Sequence, residues 1–117
     1  MKNKSKKILS EISAGELLDK ISILEIKLQK IKDKSSQIKL KKEYKILKKN
    51  QNLNINLKGK MNIFFKNLKV INLKLWNVED KLRICEKNKT FNKVFVKLAR
   101  EVYFYNDKRA EIKLNIN

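Results

Sequence analysis

Three arginines, Arg83, Arg100 and Arg109, stand out in a chain that otherwise carries its positive charge on lysine. A guanidinium is a planar fork that grips a carboxylate or phosphate at two points, which an ammonium cannot do. Carboxylates lie at spacings that could serve these forks. Glu79 and Asp80 precede Arg83 by four and three residues, the separation of an ion pair along one helix face. Glu16 and Asp19 stand in the first turn of a helix, where a carboxylate favours the helix dipole. Further on, Arg100, Tyr103 and Asp107 share one helical face, and Asn106 and Arg109 lie on an adjacent one. Such a band either binds a phosphate or a sugar carboxylate, with Tyr103 and Asn106 donating hydrogen bonds, or forms a buried network that sets helix register. The only tryptophan, Trp76, serves as a core or interface anchor or as a stacking surface.

Much other chemistry is excluded. The chain has no histidine, so imidazole metal sites and imidazole acid–base catalysis are out. The single cysteine, Cys85, falls on an apolar helix stripe and is expected to be a buried structural thiol. It cannot form an internal disulfide. No cofactor signature and no metal-ligand spacing occurs. Glu16 with Asp19 shows once the acidic spacing that helical enzymes acting on nucleotide pyrophosphates repeat.

The net charge of +18 points to an anionic partner such as nucleic acid or a membrane surface. A second cause competes: Lys, Ile and Asn make up nearly half of the chain, and all three have codons rich in A and T. The charge is concentrated between Lys34 and Lys74, where twelve lysines accompany a single acid, Glu43. Few aromatic residues accompany it, so nucleic-acid binding is possible there but not favoured. No apolar run approaches the roughly 20 residues that cross a bilayer, and a cytoplasmic location is expected.

The elements that must position these residues are helices. Phe64, Leu68, Ile71, Leu75, Val78, Leu82 and Cys85 recur at alternating four- and three-residue spacing, and Phe91, Phe95, Leu98, Val102, Tyr105, Ile112 and Ile116 form a second such stripe. Only a helix holds that spacing on one face. Arg109 interrupts the second stripe, where an unpaired charge is costly, so it is expected to reach a carboxylate on another helix, Glu16, Asp19, Glu79 or Asp80, unless it turns out of the seam into solvent. A first helix begins at Ser13, with Glu16 completing a capping box. Its seam is Leu17, Ile21, Leu24, Leu28 and Ile31, and Ile23 and Ile26 lie opposite, so it packs between neighbours or is shared with another subunit. A second, shorter helix, capped by Ser35 or Ser36, runs to about Lys49 with Leu40, Tyr44 and Leu47 inward. Residues 50–57 alternate like a strand but lack a partner, which favours a loop or irregular helix end. Helix three spans about Lys60 to Lys87, and helix four starts at Phe91 behind a Thr90 cap. The fold class is all-α: a bundle of about four helices whose last two form a long antiparallel hairpin, with the first two packed along it. Residues 1–12 are expected to form a basic arm with its lead-in, and 13–117 a single domain.

Three stretches, ISAGELLDKISILEIK (Ile12 to Lys27), LWNVEDKLR (Leu75 to Arg83) and LAREVYFYNDKRAEIKLNIN (Leu98 to Asn117), resemble the hallmark segments of an uncharacterised family of small bacterial and phage proteins known only as a domain of unknown function. The Lys-rich middle takes no part in the likeness. The resemblance implies a free-standing small helical domain in a surface-polysaccharide and glycosyltransferase setting, and it supplies no activity to carry over. Three functions follow as expectations. The first is a non-enzymatic interaction or scaffold module that forms a homo-oligomer or holds a protein partner. The second is an enzyme or binder for an anionic small molecule within the bundle, and the third is nonspecific nucleic-acid binding.

Overall fold

The structure, a computed structural model, describes residues 6–117. Most of the expected basic arm therefore lies outside the described residues, and Lys6 to Ser13 form no helix or strand. Four helices follow: α1 (Ala14–Lys30), α2 (Lys34–Asn54), α3 (Lys60–Lys87) and α4 (Lys93–Ile116). They account for 80% of the described residues, with no strand, so the alternating segment after Asn50 is the end of α2 followed by four irregular residues.

The helix starts are set by small polar side chains. Ser13 Oγ accepts the Glu16 N–H at 3.1 Å, but the Glu16 carboxylate pairs with Lys113, so the capping box is only half made. The α2 cap is Asp33, ahead of the serines expected to do this work: it accepts from the Ser36 N–H at 3.0 Å and from the hydroxyls of Ser35 and Ser36. A carboxylate outcompetes a hydroxyl for an exposed helix N-terminus because it also answers the dipole. Likewise Asn92, not Thr90, caps α4, accepting from the N–H groups of Val94 and Phe95. Gly59 opens α3 at φ +58, a left-handed conformation that suits glycine.

α1 is the central helix. One side delivers Leu17, Leu18 and Ile21 to a core completed by Phe65 and Leu68 of α3 and Ile116 of α4. The opposite side, carrying Gly15, Asp19, Ser22 and Ile26, is buried too, against the polar groups of α3 and α4. α1 thus packs between neighbours within the chain itself, with Ile23 half-buried at the margin of its second side. The stripe on α3 is one residue wider than its spacing indicates, because Phe65 is buried while Phe64 is only half-buried.

α3 and α4 run side by side as an antiparallel hairpin. α2 departs from expectation: its backbone approaches only α1 and does not lie along the hairpin. Its contribution is made by side chains, with Tyr44 and Leu47 reaching the core cluster. The molecule is consequently flat, 47 × 47 × 24 Å. At 1.5 Å per residue α1 spans about 25 Å, against about 42 Å for α3 and about 36 Å for α4. The hairpin outreaches α1, and its turn end is a bare two-helix ribbon. This explains why Cys85 is only half-buried, contrary to the burial expected from its stripe, and why Ile84 and Phe91 are exposed.

Candidate functional site

The strongest polar feature lies where α1 crosses the hairpin, and it is built around Asp19, which is 2% exposed. Arg109 of α4 grips this carboxylate with its fork: Nε donates to Oδ1 at 2.9 Å and Nη2 to Oδ2. Asn72 of α3 donates from Nδ2 to the same Oδ1 at 2.9 Å and to Ser22 Oγ at 2.8 Å, and the Ser22 hydroxyl donates to the Asp19 carbonyl at 2.8 Å. Lys113, one turn beyond Arg109, pairs with Glu16 and stands 3.7 Å from Asp19 Oδ2. Burial pushes the Asp19 carboxyl upward, but the hydrogen bonds from Arg109 and Asn72 and the charges of Arg109 and Lys113 together outweigh it. The carboxyl is held below its ordinary value. The same bond raises Arg109 against the opposing effect of its own burial.

This arrangement places Asp19 on the buried side of the second turn of α1, so the helix dipole does not account for it. The dipole reading holds better for Glu16, which sits at the surface. A second polar tie lies on the other flank of α1, where Glu25 accepts the Tyr44 hydroxyl at 2.9 Å and pairs with Lys69 at 2.9 Å. Burial and the Glu25 carboxylate push the Tyr44 phenol up to about 12.

Beside the Asp19 network is a half-open groove of about 270 Å³, bordered by Trp76, Glu79, Arg83, Asn106 and Arg109, with Lys27 and Ile26 on the α1 side. Five of the residues singled out in the sequence are thus brought together. Its two arginines are already engaged, since Arg109 holds Asp19 and also donates to Asn106 at 3.3 Å, and Arg83 pairs with Asp80 at 3.0 Å. In the bond from Arg109, Asn106 accepts through Oδ1. Arg100, Tyr103 and Asp107 are not part of this groove; they lie exposed on the outward face of α4. Arg100 borders a separate shallow depression with Val96 and Phe104. Among the described residues no group of three or more His, Cys, Asp or Glu is placed to hold a metal.

Ser22, Asn72, Lys113 and Gly15 were not legible as members of the network. Asn72 carried a usable signal, since it falls four residues after Leu68 and three before Leu75, inside the apolar stripe. Asparagine is so frequent in this chain that the signal is drowned.

The fold and the closed ionic centre define a small all-α bundle whose buried polar groups are paired from within, Gln51 Oε1 excepted, and no helix among the described residues is long and apolar enough to cross a membrane. The chain belongs to a family of unknown function, DUF6165, whose model matches residues 8–117. No curated protein and no solved structure matches the chain.

Proposed function

We propose that this chain is a non-enzymatic interaction module that docks through the outward face of α4, in the surface-polysaccharide setting that the family resemblance implies. The observation that carries this reading is the uncovered apolar surface there. Val96, Tyr103, Phe104 and Leu114 are 55%, 64%, 57% and 73% exposed, and no other helix crosses them. Large exposed apolar surface, especially with polar residues around it, marks protein–protein interaction sites. The interior supports the same conclusion, because Asp19 is spent on Arg109, Glu16 on Lys113, and Glu25 on Lys69 and Tyr44. The groove beside Trp76 is a weaker candidate for an anionic ligand, since two of its three cations are already paired with carboxylates.

A photoreactive residue placed at Phe104 tests this in cells, with Lys39 on the exposed face of α2 as control. Discrete cross-linked species are expected from the α4 position, and they should vanish when Val96 and Leu114 are both changed to Lys while the melting temperature holds. Adducts no different from those at Lys39 would overturn the reading.

A further inference from the structure

The outward face of α4 carries a second stripe that the core does not use: Val96, Arg100, Tyr103, Asp107, Ala110 and Leu114, spaced four, three, four, three and four residues apart. That is the spacing at which one helix packs along another, and every one of these residues is exposed. Among the described residues neither Arg100 nor Asp107 makes an ion pair. Charge is also sorted along the face. Lys93, Lys97 and Arg100 outweigh Glu101 in its N-terminal half, and Asp107 and Glu111 outweigh Lys108 in its C-terminal half, where Lys108 stands 3.9 Å from Glu111.

From this we infer that the occupant of the face is a second copy of the same chain, packed antiparallel about a two-fold axis between Tyr103 and Phe104, with Arg100 of each copy against Asp107 of the other. The inference rests on the interaction-module reading and names its partner. Arg100 and Asp107 are two turns, about 10.5 Å, apart, and an axis midway between them sets each opposite its counterpart. The same axis brings the Tyr103 and Phe104 rings of the two copies together; within one chain these rings already lie tilted at 5.7 Å. A parallel arrangement would stack the basic halves on each other. The charge sorting therefore selects the antiparallel one, in which a single patch is complementary to itself, as two-fold association requires. A molecule of charge +18 repels its own copies over most of its surface, and this face is one where acids are available to reverse that.

One helix face is a contact at the small end of specific interfaces, so dimers should form in the micromolar range and be followed by sedimentation from about 5 to 500 µM. Arg100→Asp and Asp107→Arg are each expected to weaken association by about tenfold or more, since each replaces two attractive pairs by two repulsive ones. An equimolar mixture of the two variants should recover it, as should the double variant. Circular dichroism and melting of each variant confirm folding, which neither exposed position should disturb. A wild-type chain that stays monomeric over this range overturns the inference, and so does a dimer indifferent to both charge reversals. If the chain is monomeric but still gives discrete adducts at Phe104 with another protein, the interaction module stands and the second copy does not.

Discussion

Gly15 lies so close to Lys113 that a Cβ placed on it would come within 2.7 Å of the Lys113 carbonyl oxygen. The obstacle is backbone, which cannot swing aside as a side chain would. This approach of α1 to α4 lets the Gly15 N–H donate to Asn117 Oδ1 at 2.8 Å and brings Glu16 and Asp19 within reach of Lys113 and Arg109.

Gly15→Ala should therefore destabilise the protein even though alanine is the better helix former by about 1 kcal/mol. The expected net loss is about 1–3 kcal/mol, the usual range for forcing a methyl into a closed contact. Urea unfolding followed by circular dichroism measures it, and a gain in stability would mean that the two helices separate freely here.

Removing Arg109 leaves a carboxylate that is almost fully buried, so Arg109→Ala should cost about 3–5 kcal/mol. Arg109→Met should cost nearly as much, because the thioether restores volume but not charge. Asn72 and Lys113 soften the loss without replacing the fork. Pairing Arg109→Met with Asp19→Leu should recover most of the stability, and a double-mutant cycle should return a coupling of about 2–3 kcal/mol. Additive effects would show that the two side chains do not act together.

Asp19 has a lowered carboxyl value in the folded state, below the ordinary 3.8. Its contribution is complete above that value and is lost as pH falls through the depressed folded one. Asp33, lowered by the hydroxyl of Ser35 and by the N–H and hydroxyl of Ser36, acts in the same direction. Stability should hold from neutrality down to about pH 4 and then decline, and Asp19→Asn should flatten that decline. Tyr44 behaves in the opposite sense: its folded value is raised from 10.0 to about 12, so stability drains away as pH rises through that interval. Tyr44→Phe should remove this alkaline component, read from unfolding curves taken in the same window.

Not every lysine of α2 is a mere solvated charge. Lys41 and Lys45 are exposed, and replacing either by Glu should change stability by less than about 0.5 kcal/mol. Lys48, which reads in the sequence as equally peripheral, is half-buried with its ammonium 6.0 Å from the centroid of the Phe65 ring. Lys48→Glu should cost about 0.5–1 kcal/mol more than the other two. Thermal melts of the three single variants distinguish them, and equal effects would remove Lys48 from the core margin.

The helices were legible because their apolar residues repeat with helical spacing and because Gly59 and the Asn88–Lys89 break punctuate them. The need of Arg109 for a carboxylate was legible for a related reason, since a charge within an apolar stripe must be answered. Which carboxylate answers it was not, because pairing across helices depends on how α1 crosses the hairpin. That crossing angle is set by Gly15, a residue with no side chain to announce itself. The position of α2 was hidden for a different reason. Its stripe of Leu40, Tyr44 and Leu47 is too thin to say which neighbour it covers; the bond from Tyr44 to Glu25 and those from Gln37 Nε2 to the Leu28 and Ile31 carbonyls commit it to α1. Cys85 shows the limit of periodicity itself: an apolar residue can keep perfect spacing along a helix that has outrun its partners.

The bond between Gly15 and Asn117 joins residues 102 positions apart, and Ile116 is buried in the same cluster as Leu17 and Leu18. During synthesis α1 emerges first, and α2 follows at once to cover one of its sides. The other side meets Asn72 only once α3 is made, and Asp19 lacks its guanidinium until Arg109 of α4 has left the ribosome. The order of assembly is written into this geometry: an early local pair, α1 with α2, must wait for a hairpin made from the second half of the chain. A charged Asp19 on its waiting face makes a bare apolar stripe a poor substitute partner, because a buried carboxylate must be answered by positive charge and hydrogen-bond donors.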